Sequence, residues 1–150
     1  MRLFSALLFW ACLALTAGTA LAETEADDDD APLAGLLAGP NKTALPELIL
    51  SVGEPLGGPW KLRSGGYYEV EITADGSGEL GLAGADFFRA IWVDEVVIRG
   101  LELRPMGLHS IEFDRAGTME IGFVAIKPGR YSLEIPGATG PSQRLEIEID

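Results

Sequence analysis

A single histidine, His109, is the residue of this chain whose chemistry best suits a transition metal. Met106 precedes it by three residues, Glu112 follows it by three, and Met119 lies in the next predicted strand. Imidazole and thioether ligands suit copper, above all Cu(I), whereas carboxylates suit harder cations. These four residues are therefore the candidate metal ligands, and copper is the candidate ion.

The same residues also have a purely structural interpretation. Side chains alternate between the two faces of a strand, so Met106 and His109 face opposite sides unless Gly107 introduces a bend. In this interpretation His109 is a partly exposed residue near one end of the fold, and Met119 belongs to the hydrophobic core. The pattern favours this structural alternative.

The chain lacks the residue combinations of the common hydrolases and transferases. Its one cysteine, Cys12, lies in the apolar N-terminal run, and neither a G-x-S-x-G elbow nor a phosphate-binding glycine loop occurs. Ser110 adjoins His109, which places the two side chains on opposite faces of a strand. Carboxylates are too plentiful to single out a glycosidase pair. We therefore expect a protein that is not an enzyme, and we predict no catalytic residue.

The N-terminus has the pattern of a secretory signal peptide. Arg2 precedes the apolar run Leu3–Leu15, and Ala20-Leu21-Ala22 is a small-x-small cleavage site. A central segment of about 13 residues is too short to span a bilayer, which takes roughly 20. We predict a signal peptide over residues 1–22, cleavage after Ala22, a periplasmic location and no membrane span in the mature form. Lipidation at Cys12 is disfavoured by the bulky Phe9-Trp10 beside it.

The formal net charge of −12 restricts the partners of the exported chain. Nucleic acids and anionic lipid headgroups are bound mainly through Lys and Arg, so both are excluded as partners. Cations and basic proteins remain as partners, although the charge is more typical of an exported protein that is merely kept soluble and monomeric. The run Asp27–Asp30 lacks the ordered loop of a tight Ca²⁺ site and is predicted to be a solvated tail.

Composition divides the exported chain into two parts. Residues 23–44 are acidic and then rich in Ala, Gly and Pro, which predicts a flexible arm. From residue 45 to 150, short apolar runs alternate with glycine and proline turns, which predicts an all-β antiparallel sandwich or small barrel. One short helical turn is expected in Gly84–Trp92, capped by Asp86. The predicted strands are Leu45–Val52, Trp60–Arg63, Tyr67–Thr73, Glu79–Leu82, Ile91–Val93, Val96–Leu103, Ser110–Phe113, Met119–Ile126, Arg130–Ile135 and Gln143–Ile149.

Six aromatic residues could form either a core or a recognition patch: Trp60, Tyr67, Tyr68, Phe87, Phe88 and Trp92. Aromatic side chains are enriched in interaction hot spots, but they more often fill a sandwich core. We predict the core for all except Tyr67, which strand alternation places on the outer face.

The C-terminal half resembles the cupredoxins, small copper-binding β-sandwich proteins. The resemblance rests on the stretch from Met106 to Asp114, which contains His109, and on the stretch Lys127-Pro128-Gly129-Arg130-Tyr131-Ser132-Leu133. It implies a Greek-key β-sandwich with His109 at the first copper-ligand position. In the family, a cysteine, a second histidine and often a methionine follow that tyrosine. Here residues 132–140 contain none of them, so a blue-copper centre cannot form.

Two functional hypotheses follow. The first is an exported, non-enzymatic cupredoxin-like module that requires no cofactor and binds a periplasmic protein partner of unknown identity. The second is a periplasmic copper carrier or sensor that uses His109 with Met106 or Met119 and a carboxylate.

Overall fold

The structure, a computed structural model, describes residues 35–150. The predicted signal peptide and residues 23–34 of the predicted arm lie outside the described residues. Within residues 35–150 the chain forms eleven strands, one short helix and two 3-10 turns, Gly39–Asn41 and Pro141–Gln143. The helix is α1 (Ala85–Phe88), and the strands are β1 (Lys42–Ala44), β2 (Leu48–Leu50), β3 (Trp60–Leu62), β4 (Tyr67–Ala74), β5 (Leu80–Ala83), β6 (Ile91–Ile98), β7 (Leu101–Leu103), β8 (Ser110–Phe113), β9 (Gly117–Ala125), β10 (Gly129–Glu134) and β11 (Arg144–Ile149).

The strands form two sheets that pack face to face. The first sheet has the order β1-β4-β9-β6-β7, with β2 also pairing to β4, and the second has the order β3-β11-β10-β5-β8. Alternation builds the interior, because residues such as Leu145, Ile147 and Ile149 of β11 are buried while their neighbours are exposed. The predicted β-sandwich is confirmed.

Both sheets are mixed, whereas the sequence predicts antiparallel pairing throughout. The long strands do pair antiparallel, but β1 and β2 run parallel to β4, and β3 runs parallel to β11. These three strands have three residues each. Their partners lie far along the chain, so their direction is set by long-range topology, which alternation cannot reveal.

Several boundaries differ from the sequence prediction. The expected strand Val96–Leu103 contains a hairpin, in which Arg99 and Gly100 connect β6 to β7 with positive φ values of 50° and 78°. The expected break after Val93 is a β-bulge inside the continuous strand β6. Strand β1 lies within the predicted arm and was not anticipated, because Lys-Thr-Ala carries no apolar alternation.

Helix α1 inserts an aromatic side chain between the sheets. Phe87 is 2% exposed, and its ring lies 5.7–6.4 Å, between centroids, from the rings of Trp60, Phe88, Phe123 and Tyr131. Such edge-to-face and tilted aromatic contacts add to the hydrophobic gain of burial. The predicted cap Asp86 is wrong: the N-cap residue of α1 is Gly84, and no side chain caps the helix by a hydrogen bond. Asp86 lies in the first turn and forms an ion pair with Arg89.

No helix within residues 35–150 is both long and apolar enough to cross a membrane.

Replacement of Gly84 tests how tightly α1 packs on β10. A Cβ at Gly84 would lie 2.5 Å from Leu133 Cδ2 and 2.8 Å from the backbone oxygen of Ser132, so the backbone must shift. We expect Gly84→Ala to lower the free energy of unfolding by about 1–3 kcal/mol, measured by urea denaturation. Gly107→Ala is the matched control, because no atom lies within 4 Å of its added methyl group; equal effects of the two substitutions would contradict the packing described.

Candidate functional site

His109 lies in a polar groove on the outer side of the second sheet. The groove has a volume of about 540 Å³ and also contains Asp86, Glu134, Arg144 and Glu146. His109 is exposed, and its Nδ1 lies 3.4 Å from Ser110 Oγ. Arg144 donates to Glu134 at 2.9 Å and to Glu146 at 2.7 Å, and Asp86 is paired with Arg89, so all three carboxylates already have a cationic partner.

The structure distributes the other candidate metal ligands over different environments. Met119 is 6% exposed and belongs to the core, whereas Met106 is fully exposed in the loop after β7. Glu112 and Met119 line a second cleft, which does not include His109. Burial of Met119 therefore leaves Met106 as the thioether that solvent can reach near His109.

A blue-copper centre does not fit the chain. The loop between β10 and β11, residues 135–143, supplies neither the thiolate nor the second imidazole that the centre needs. Among the residues that the structure describes, no group of three or more His, Cys, Asp or Glu side chains is placed to hold a metal ion.

A β-bulge in β6 creates a buried polar cluster on the outer side of the first sheet. Val93 pairs with Phe123 and Glu95 pairs with Gly122, so Asp94 is the extra residue. A bulge of this kind disturbs alternation, and here Asp94 and Glu95 both face outward. Asp94 is 7% exposed; its carboxylate accepts a hydrogen bond from the Tyr67 hydroxyl at 2.9 Å and one from Arg104 at 2.7 Å.

The cluster continues across the sheet through charged side chains. Arg104 also pairs with Glu95 and Glu102, and Lys42 pairs with Glu69 at 2.6 Å and Glu95 at 3.1 Å. Burial lowers the pKa of Lys42, but the hydrogen bonds to the two carboxylates outweigh it and raise the pKa above the ordinary value. The strand β1 is thus held to β4 by a charge-assisted contact as well as by its backbone.

Gly122 makes room for this arrangement. A Cβ there would lie 3.1 Å from Glu95 Cγ and 3.4 Å from the Tyr67 hydroxyl. The Tyr67 side chain is 4% exposed, and the Lys42 ammonium lies 5.4 Å from its ring centroid. Burial and the hydrogen bond to Asp94 raise the pKa of Tyr67.

Strand register gathers carboxylates into one surface, which we call the acidic face. Its members are the outward-facing glutamates of the first sheet: Glu69, Glu71, Glu95, Glu102 and Glu120. Glu71 and Glu120 are direct cross-strand partners, and neither has an ion pair within residues 35–150. Like charges directly opposite one another destabilise a sheet. The face is therefore a costly feature for the isolated domain.

One large aromatic residue borders the acidic face. Trp92 is the second residue of β6. It is 48% exposed, so the prediction from the sequence that it belongs to the core is wrong. Its cross-strand partner Val124 is buried and in turn pairs with Tyr67, so Trp92, Val124 and Tyr67 form an apolar row beside the carboxylates. Trp60, Phe87 and Phe88 are in the core as expected.

A second surface opens between the sheets beside β7 and β8, which are the edge strands of the two sheets. We call it the open edge; it comprises β7, β8, the loop between them and the β6–β7 hairpin. Its cleft has a volume of about 480 Å³ and a floor of buried Val96 and Met119. Leu103 faces the cleft, because its cross-strand partner is Val96.

Sequence reasoning missed Asp94, Arg104 and Lys42. The only local signal was the pair Asp94-Glu95 inside an apolar run, which the sequence prediction interpreted as a break between strands. Tyr67 is 27 positions away from its partner Asp94, and Lys42 is 53 positions away from its partner Glu95, so these pairs come together only through strand order.

Comparison with solved structures identifies the fold as cupredoxin-like. A multicopper oxidase from Pseudomonas thermotolerans superposes with a TM-score of 0.53 and 14% sequence identity, over 73% of this chain and 30% of that protein. A copper nitrite reductase from Nitrosomonas europaea gives a TM-score of 0.48 at 14% identity, over 63% of this chain and 33% of that protein. A multicopper oxidase from Campylobacter jejuni gives 0.45 at 5% identity, over 60% and 20%.

This chain spans a third or less of each of these proteins. At such low identity the likeness concerns the fold alone. No protein-family model and no curated protein sequence matches the chain.

Removal of the Asp94 carboxylate tests the buried cluster. Asp94→Ala leaves the Tyr67 hydroxyl and part of Arg104 without a partner, so we expect the free energy of unfolding to fall by about 2–4 kcal/mol. Asp86→Ala removes an ion pair whose two side chains are 90% and 70% exposed, so we expect a change below about 0.5 kcal/mol. Urea denaturation of both variants decides the point, and an Asp94→Ala effect as small as that of the control would contradict it.

Proposed function

We propose that this chain is an exported, non-enzymatic binding module that acts in the periplasm as an accessory to a protein partner, without a blue-copper centre. The observation that carries the proposal is the half-exposed Trp92 beside the acidic face. The cupredoxin-like fold supplies a rigid scaffold, but the loop in which that family holds copper has no ligands here.

The chemistry of the surface favours one kind of partner. Five glutamates share the acidic face with two cations, Lys42 and Arg104, and both cations are already paired within the chain. A basic protein surface would relieve the repulsion between Glu71 and Glu120. Trp92 supplies the aromatic anchor that is typical of interaction hot spots. The partner is therefore a basic protein with an apolar pocket for one indole ring.

The non-enzymatic character is supported by the bonding of the buried polar groups. Asp94 is buried in the first sheet and is bonded to the buried Tyr67 and to Arg104, whose side chain is 58% exposed. These bonds hold the outer side of the sheet together, and within residues 35–150 no buried side-chain nitrogen or oxygen lacks a hydrogen-bond partner.

In-cell photocrosslinking tests the binding surface. We place a photoreactive phenylalanine at position 92 of the full sequence and expect a crosslink to a discrete, basic protein. Val52, which is 59% exposed in the turn after β2, is the control position and is expected to give no such product. Glu71→Lys combined with Glu120→Lys should abolish the crosslink at position 92, because it reverses the attractive charge.

The purified partner then allows a titration. We expect Trp92→Ala to raise the dissociation constant by roughly 30-fold, which corresponds to about 2 kcal/mol, and Val52→Ala to leave it unchanged. Equal crosslinking from positions 92 and 52, or an unchanged affinity of Trp92→Ala, would refute the assignment of this surface.

A second candidate function is a copper carrier or sensor. The observation that favours it is the exposed imidazole of His109, whose one hydrogen-bonding contact within residues 35–150 is the 3.4 Å approach of Ser110, with Met106 exposed in the preceding loop. The ligands would be His109, Met106 and a carboxylate. Glu112 and Met119 line the second cleft, so Glu112 would have to turn toward His109, and Met119 would have to leave the core, to take part.

A competition titration of metal-free protein with Cu(I) tests this candidate. The copper proposal expects one-to-one binding that His109→Ala abolishes and Met106→Ala weakens at least tenfold. Binding that survives in His109→Ala, or that is lost only when residues 23–34 are removed, assigns the copper to the acidic tail and refutes the carrier proposal.

A further inference from the structure

The open edge exposes an unusual concentration of apolar side chains. Ile98, Leu101, Leu103 and Met106 are 39%, 59%, 44% and 104% exposed, and all four lie within nine consecutive residues. Ile98, Leu101 and Leu103 share the strand face that is turned toward the cleft, through the pairs Val96–Leu103 and Ile98–Leu101. A contiguous apolar surface of this kind marks an interface.

The charges of the open edge differ from those of the rest of the chain. Residues 98–118 contain three arginines and three carboxylates, so this stretch is formally neutral in a chain whose net charge is −12. Arg99, Glu112, Asp114 and Arg115 line the cleft. We call these four charged residues the rim of the cleft. Within residues 35–150 none of the four forms an ion pair, although the rim contains both positive and negative charges.

The carboxylates of the rim crowd one another. Glu112 lies within hydrogen-bonding reach of Glu79, and the pKa of Glu79 is raised by that contact and by the charges of Glu112 and Asp114. A cation placed here from outside the chain would relieve this repulsion.

Arg99 occupies a backbone position that disfavours it. Its φ of 50° makes it the only non-glycine residue with positive φ among residues 35–150. Two-residue hairpins with positive φ values normally use Asn or Gly. A strained backbone at an exposed, unpaired arginine indicates that the side chain has a role beyond the turn.

We propose that the open edge is a self-complementary interface at which two copies of this chain form a two-fold symmetric dimer. Across the two-fold axis, Arg99 and Arg115 of one copy face Glu112 and Asp114 of the other. Between these charged pairs, the exposed apolar side chains of each copy pack against the cleft of the other copy. Symmetric dimers require such a surface, in which one patch carries both members of each contact.

The local neutrality of the open edge explains how two acidic chains associate. Of the 23 carboxylates, 20 lie outside residues 98–118, and the repulsion between them is screened beyond a distance of about 8 Å at physiological ionic strength. The acidic faces lie on the outer sides of the first sheets and stay exposed in the dimer. A dimer therefore presents two copies of Trp92 to a partner.

Charge reversal tests the interface without disturbing the core. In the acidic-rim variant, Arg99→Glu is combined with Arg115→Glu; in the basic-rim variant, Glu112→Arg is combined with Asp114→Arg. Sedimentation velocity over a concentration series is measured for the protein purified after expression of the full sequence. We expect wild type to dimerise and each variant alone to have a dimer dissociation constant at least about tenfold higher.

Mixing the two variants gives the decisive result, because each rim then faces its opposite charge. We expect the mixture to form a heterodimer whose dissociation constant is similar to that of the wild-type dimer. The control is Arg63→Glu combined with Lys127→Glu, which changes the net charge as much as the acidic-rim variant does; neither residue lines the cleft. We expect this control to dimerise as wild type does.

Circular dichroism and urea denaturation verify that every variant is folded, so that a monomer cannot be mistaken for an unfolded chain. A wild-type protein that stays monomeric up to its solubility limit overturns the proposal. The proposal is also overturned if both rim variants dimerise as wild type does, or if the mixture of the two variants stays monomeric.

Discussion

The outer side of the first sheet depends on the hydrogen bonds that the buried carboxylate of Asp94 accepts. A charged group that is 7% exposed needs partners, and it obtains them from the Tyr67 hydroxyl and the Arg104 guanidinium. The bulge that turns Asp94 outward also brings Glu95 beside it, which then joins Arg104 to Lys42. One extra residue in β6 therefore links β1, β4, β6 and the chain after β7 through a single polar network.

The two faces of the first sheet serve different purposes. The inner face packs on Phe87 and the second sheet, and it gives the domain its hydrophobic stabilisation. The outer face uses its two cations inside the network, so the remaining glutamates are left without compensation. The direct opposition of Glu71 and Glu120 costs stability in the isolated domain, and binding of the basic partner proposed above would remove that cost.

The sequence predicted the parts of the fold that are locally encoded. Alternation located β4, β8 and β11 to within a residue, because one side of β4 and of β11 is largely buried and one side of β8 is half-buried. The hairpin at Arg99 was hidden, since its apolar flanks continue the alternation and arginine is not a typical turn residue. Strand β1 was missed because a polar three-residue strand is stabilised by Tyr67 and Glu69, which lie 25 or more positions away.

The candidate sites divide in the same way. His109 could be identified from the sequence because it is the only imidazole, and its resemblance to a ligand position gave it a context. The acidic face could not be identified from the sequence, because its members meet only through the register between β4, β9, β6 and β7. The open edge could not be identified either, because it forms only where two edge strands approach each other. Of the aromatic residues, Trp92 was assigned to the core because alternation does not distinguish a buried face from a half-exposed one.

The most direct test of this account is the ionisation of Tyr67, followed by NMR of a ring-labelled tyrosine across an alkaline titration. Tyr67 should titrate above the ordinary tyrosine pKa of about 10, and Asp94→Asn should lower its pKa, because burial and the bond to the Asp94 carboxylate both favour the neutral phenol. Stability should correspondingly fall as the pH rises above about 10, where the unfolded chain ionises first. A Tyr67 that titrates at or below the ordinary value, or that is indifferent to Asp94→Asn, would contradict the buried network.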